Sequence, residues 1–295
     1  MTFTATLSLD ETGARALAVA LGNDPMFEAQ GIDVAEIHKD DWRVIVYFEE
    51  RPNRAAEKHL FEIAKAETGG KARPFAVEAL PETDWVAKSL AGLAPVRAGR
   101  FLVHGRHDRD RPRPNDIAIE IEAGQAFGTG HHGSTAGCLL AIERIARSRR
   151  IANALDVGTG SGVLAIAIAR IAHARVLASD IDPVAIAVAR ENLRLNGVAG
   201  EVQAIVAPGL AAHVFLARSP YDLIVANILA GPLVTLAPAI RRLMAPGGDV
   251  VLSGLLVQQR ARILAAYRGQ GLRLVGDIRR GEWLTMTFER PRQSG

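Results

Sequence analysis

Residues 154–182 read A-L-D-V-G-T-G-S-G-V-L-A-I-A-I-A-R-I-A-H-A-R-V-L-A-S-D-I-D. Ala154–Val157 is a short apolar run, and glycines at 158, 160 and 162 end it abruptly. Ser161–Ala172 then has the length and Ala/Ile/Leu content of a buried helix. Arg175–Ser179 is a second apolar strand. Pro183–Asn196 is a second helix, with Asp182 placed as N-cap, proline at the first helical position and Gly197 as stop. Parallel strands need crossovers of this kind, and strands buried on both faces read as continuous apolar runs.

The same rhythm continues outward. Val202–Val206 and Asp222–Ala226 are strands, Leu229–Met244 is a helix, and Pro246-Gly247-Gly248 turns the chain into Val250–Leu255. A further helix covers Gln258–Tyr267. Leu272–Ile278 and Trp283–Glu289 are separated only by R-R-G-E, which leaves no room for a crossover, so they must pair antiparallel. The expected fold class is α/β, a doubly wound, mostly parallel sheet closed by an antiparallel C-terminal hairpin.

Residues 3–75 have a different pattern. Thr4–Leu9 and Arg43–Phe48 alternate as strands, Asp10 can cap a helix through Leu21, and Asn53 can cap a helix closed by Gly69-Gly70. A small α/β sandwich is expected there. Residues 82–93 suit a linking helix, and Ala98–Gly105 starts a new strand. Asp116–Glu122 alternates with Ile117, Ile119 and Ile121 inward. The expected domains are 1–75, a linker at 76–100, and 101–295.

The chain has 295 residues, 48% of them hydrophobic and 23% charged, which permits a packed core and excludes wholesale disorder. Its net charge of +3 is too balanced to demand a polyanionic partner. The single Cys138 excludes an internal disulfide and an all-cysteine metal site. With no signal-peptide pattern and no apolar run long enough for a bilayer, the expectation is a cytoplasmic, monomeric protein without a membrane partner.

Four stretches carry chemistry. Gly158, Gly160 and Gly162 let the backbone approach a ligand, and the following helix start offers free N–H groups to an anionic group. Asp180 lies 22 residues after Gly158, at the end of the next strand, where a carboxylate can accept hydrogen bonds from two ribose hydroxyls. Together they indicate a nucleoside cofactor at the switch point of the sheet. The G-x-G-x-G spacing and the terminal hairpin favour a class I methyltransferase over a dinucleotide enzyme. Asn227, in V-A-N-I-L-A at the end of the fourth strand, is placed to aim an acceptor amine, although it equally suits a plain N-cap. Gly124–Gly137, G-Q-A-F-G-T-G-H-H-G-S-T-A-G, can form a lid over the cofactor, with Phe127, Thr129 and Thr135 in it, or a loop that caps the next helix through Ser134 or Thr135. The adjacent His131 and His132 lack a third ligand at telling spacing, so no metal is expected.

The stretches G-Q-A-F-G-T-G-H-H-G-S-T-A-G-C-L, L-D-V-G-T-G-S-G-V-L-A-I-A, S-D-I-D-P-V-A-I-A-V-A-R-E-N-L-R-L-N-G-V and V-A-N-I-L-A-G-P-L-V-T-L-A-P together resemble the PrmA-type methyltransferases of a ribosomal large-subunit protein. The resemblance runs through most of 101–295. It departs where many members carry T-H-P-T-T in place of His131–Thr135, C-G-S-G in place of Thr159–Gly162, and Trp in place of His107. It implies S-adenosyl-L-methionine as cofactor and an N-terminal substrate-recognition domain. It also implies methylation of lysine ε-amines and of an N-terminal α-amine. Family cofactor contacts fall on Thr135, Gly158, Asp180 and Asn227, with Gly160 in the same loop. Phe127 and Thr129 fall in a cofactor-covering segment.

Rival readings are a lysine methyltransferase with another protein substrate, a nucleic-acid amine methyltransferase, and a non-catalytic nucleoside sensor. Arginines 106, 109, 111 and 113, and 144, 147, 149 and 150, could touch phosphate. Asp108 and Asp110 interrupt the first cluster, and the N-P-P-Y of nucleobase enzymes is N-I-L-A here, so no specific nucleic-acid partner is expected.

Overall fold

The computed structural model describes residues 3–24, 29, 31–38, 41–48, 50–70, 72–79, 95–121 and 132–292. The chain divides into two compact units, Met1–Asp84 and Trp85–Gly295.

In the first unit, strands β1 (Phe3–Leu9), β2 (Gly31–His38), β3 (Asp41–Phe48) and β4 (Ala76–Ala79) form an antiparallel sheet of order β2-β3-β1-β4. Helices α1 (Glu11–Asn23) and α2 (Arg54–Glu67) start where expected. Asp10 accepts a hydrogen bond from Gly13 N at 2.7 Å, and Asn53 accepts from Ala55 N and Ala56 N. Alternate residues Ala5 and Leu7, facing Val46 and Val44, bury one sheet face with Leu17, Leu21, Leu60 and Ala64 of the helices. Strand β4 pairs with β1, so this sheet extends past the expected boundary at residue 75. The expected linking helix at 82–93 lies outside the described residues.

The second unit opens with a three-stranded sheet, β5 (Val96–Ala98), β6 (Phe101–His104) and β7 (Ile117–Glu120). The single strand expected at 98–105 is a hairpin instead. Gly99, at φ +59°, turns the chain between β5 and β6, where a Cβ would overlap the Glu143 carboxylate.

The main sheet contains β8 (Asn153–Val157), β9 (Arg175–Asp180), β10 (Val202–Val206), β11 (Tyr221–Asn227), β12 (Met244–Leu256), β13 (Arg273–Arg280) and β14 (Trp283–Glu289). Its order is β10-β9-β8-β11-β12-β14-β13, parallel from β10 to β12 and antiparallel at both β14 contacts. Helices α3 (His132–Ser148), α4 (Val163–Ala172) and α5 (Pro183–Leu195) cover one face. Helices α6 (His213–Arg218), α7 (Ala230–Leu243) and α8 (Arg260–Gly269) cover the other. Successive strand residues serve opposite layers: Ala154, Leu223 and Val225 pack with α3–α5, whereas Leu155, Ile224 and Ala226 pack with α6–α8. The continuous apolar runs in the sequence have this cause. The strand order reverses between β8 and β11, so their carboxyl ends open a crevice there.

Candidate active site

The crevice is built first by the β8–α4 loop. Gly158, Gly160 and Gly162 all take positive φ, at +70°, +52° and +85°, and a Cβ on Gly158 would overlap the Ile228 side chain. Helix α4 therefore starts at Val163, with Gly162 as its N-cap, two residues later than the spacing suggested. Asp180 braces the loop: its Oδ2 accepts from Gly160 N at 2.8 Å, and its Oδ1 accepts from Asp182 N at 3.1 Å. A carboxylate has about four acceptor positions. Two remain for a ligand diol. Beside it stand Ile181, 71% exposed, and Val206, which pairs with Asp180 across β9 and β10 and is 49% exposed. These two apolar side chains offer a flat surface for a heterocyclic base, and the sequence reading did not single them out.

Asp156 was also missed. It is fully buried in β8, with Oδ2 accepting from Thr159 Oγ1 at 2.7 Å and Ala165 N at 3.1 Å. Its Oδ1 is buried without a partner among the described residues. Burial pushes its pKa up to about 7, against the pull of the Thr159 and Ala165 hydrogen bonds, and nearby Asp180 raises it further. An acid inside the apolar run A-L-D-V was the available signal.

Asn227 ends β11 in register with Ser253 of β12. It is not the cap of the next helix: Leu229 holds the N-cap position of α7. Its Nδ2 donates to Thr135 Oγ1 at 3.5 Å, and its Oδ1 is buried with no partner among the described residues. Leaving such an atom unpaired costs about 1–3 kcal/mol, which a ligand donor would offset. Thr135 and Ser134 do not cap α3 as one reading had it. The helix begins at His132, and both residues sit buried within it. Thus Gly158, Gly160, Asp180, Asn227 and Thr135 stand on the elements that meet at one crevice, while Phe127 and Thr129 lie outside the described residues.

Cys138 is buried, its thiol pushed up to about 12 by desolvation, so it is no nucleophile. Two of the four arginines in the 106–113 loop pair within the protein, Arg109 with Glu120 and Arg111 with Asp108. That pairing removes much of the support for phosphate contact. Among the described residues no cluster of three or more His, Cys, Asp or Glu is placed for a metal, and no helix is long and apolar enough to cross a membrane.

The family model described as ribosomal protein L11 methyltransferase (PrmA) matches residues 3–291. A ribosomal protein L11 methyltransferase of Rhizobium etli is 52% identical over 267 residues, 89% of either chain. One of Rhizobium meliloti is 47% identical over 288 residues, 96% of this chain and 98% of its own. The crystal structure of a ribosomal protein L11 methylase from Lactobacillus delbrueckii subsp. bulgaricus superposes with a TM-score of 0.61. At 30% identity it covers 68% of this chain and 100% of its own. The second unit accordingly has the class I S-adenosylmethionine-dependent methyltransferase fold. The motifs, the crevice and these relatives agree: the chain belongs to the PrmA family of ribosomal protein L11 methyltransferases.

Proposed function

We propose that the protein transfers methyl groups from S-adenosyl-L-methionine to lysine ε-amines and the N-terminal α-amine of ribosomal protein L11. The observation that carries this is the pairing of a diol-ready carboxylate, Asp180, with an unsatisfied carboxamide oxygen, Asn227 Oδ1, at one switch point. The cofactor supplies a methyl carbon on a sulfonium, an activated leaving group. Gly158 and Gly160 admit its backbone-facing edge, Asp180 holds the ribose, and Ile181 with Val206 flank the base.

Asn227 is the catalytic residue. Its Oδ1 accepts a hydrogen bond from the neutral acceptor amine and so aims the nitrogen lone pair at the methyl carbon. A lysine amine has a pKa of about 10.4 in water, so it must lose its proton before its lone pair can attack, and burial on docking favours that neutral form. Alignment of this kind can supply several kcal/mol of the barrier. The proton leaves to solvent. The first unit, with its four-stranded sheet, captures the substrate, free or on the ribosome.

The test is incubation with labelled S-adenosylmethionine and ribosomal proteins from a host lacking this enzyme. Label on L11 at lysine and α-amine positions by mass spectrometry supports the reading. Label on RNA or on another protein alone refutes it.

A further inference from the structure

A carboxamide can aim an amine only if its own plane is fixed. Among the described residues Asn227 has one partner for this, the hydroxyl of Thr135, which receives Nδ2 at 3.5 Å and leaves Oδ1 as the open acceptor. Thr135 is itself only 5% exposed. It sits on the first turn of α3, and that turn is anchored from the sheet side. Ser253 Oγ donates to the Ser134 carbonyl at 3.2 Å and shares a 2.8 Å hydrogen bond with Thr285 Oγ1. The anchoring continues through two glycines: a Cβ on Gly137 would overlap Thr285 Oγ1, and one on Gly133 would lie 2.6 Å from Trp283 Cδ1. The turn that presents the Thr135 hydroxyl is thus pinned against β12 and β14.

We infer that Thr135 is a positioning residue, which holds the Asn227 amide with its carbonyl oxygen free for the acceptor amine. This rests on the proposed role of Asn227 and competes with the alternative that Thr135 serves only as a cofactor contact.

The test compares Thr135→Val, which keeps shape but removes the hydroxyl, with Thr135→Ser, which restores it. Turnover on L11 and calorimetric affinity for S-adenosylhomocysteine are read on each, alone and combined with Asn227→Ala. A hydroxyl that orients the amide gives about a tenfold or larger fall in kcat for Thr135→Val, well beyond any loss of cofactor affinity. Thr135→Ser then recovers most of the turnover. Adding Thr135→Val to Asn227→Ala then costs nothing further, because its partner is already gone. A loss of affinity matching the loss of kcat, unchanged turnover, or additive effects in the double variant would each overturn the inference. If the valine variant unfolds in a thermal melt, Thr135→Ala takes its place under the same criteria. Failure of the wild-type protein to label L11 would refute the proposed function instead, so the two failures are distinguishable.

Discussion

Asp180→Ala is the sharpest perturbation of the cofactor site. The carboxylate accepts one hydrogen bond each from Gly160 N and Asp182 N, which leaves two acceptor positions open. Hydrogen bonds to charged groups contribute about 1.5–3 kcal/mol each, so losing two ribose contacts should cost about 3–6 kcal/mol. At about 1.4 kcal/mol per decade, the dissociation constant for S-adenosylhomocysteine should rise about two to four orders of magnitude. The lost backbone contacts are part-buried at Gly160 and exposed at Asp182, so stability should fall by about 1–2 kcal/mol. Asp180→Asn keeps one acceptor oxygen and should give an intermediate affinity. Titration calorimetry reads the affinity and a thermal melt reads the fold. Wild-type affinity in a folded Asp180→Ala protein would refute the ribose-clamp argument. Equal losses of affinity and stability would show that the carboxylate only braces the glycine loop.

Three further outcomes are expected. Asn227→Ala should lower kcat on L11 by about a hundredfold, far more than it lowers cofactor affinity; equal losses in both, measured by single turnover and calorimetry, would make the residue structural. Gly158→Ala should abolish cofactor binding, since its φ of +70° disfavours a side chain and its Cβ would overlap Ile228; binding by calorimetry at wild-type strength would contradict this. Asp156 and Asp249 have carboxyls pushed up by burial to about 7 and about 6, so the folded state binds more protons than the unfolded chain between about pH 4 and pH 7. Their joint contribution to stability therefore falls as pH rises through that window, and Asp156→Asn should flatten the fall; parallel Tm profiles for both proteins between pH 5 and pH 8 would show that Asp156 stays ionised.

The parallel core was legible because its strands are buried on both faces. A-L-D-V, R-V-L-A-S and D-L-I-V-A have no polar alternation to confuse the period. The terminal hairpin was legible from spacing alone. Strand β2 was not, because G-I-D-V-A-E-I-H mixes acids and alanine into a weak alternation, and its place comes from pairing with β3. Helix α6, six residues long, has no caps to announce it. At the site, Asp180 and Asn227 were visible as residue types at strand ends. The Thr135 partnership was not, since Thr135 and Asn227 stand 92 positions apart and meet only when α3 lies across the sheet. Ile181 and Val206 were missed because an exposed apolar residue has no signature until the fold shows what lies beside it.

The pinning of α3 by Thr285 and Trp283 also bears on the order of synthesis. The helix is translated early in the second unit, but the surface that immobilises it belongs to the hairpin made near the end. A nascent chain that has formed the glycine loop but not yet the hairpin therefore holds its carboxamide unaligned. Methyl transfer should switch on only when the last strands have emerged and folded, since Leu284, Met286 and Phe288 also complete the core shared with Leu155 and Ile224 of the crevice strands.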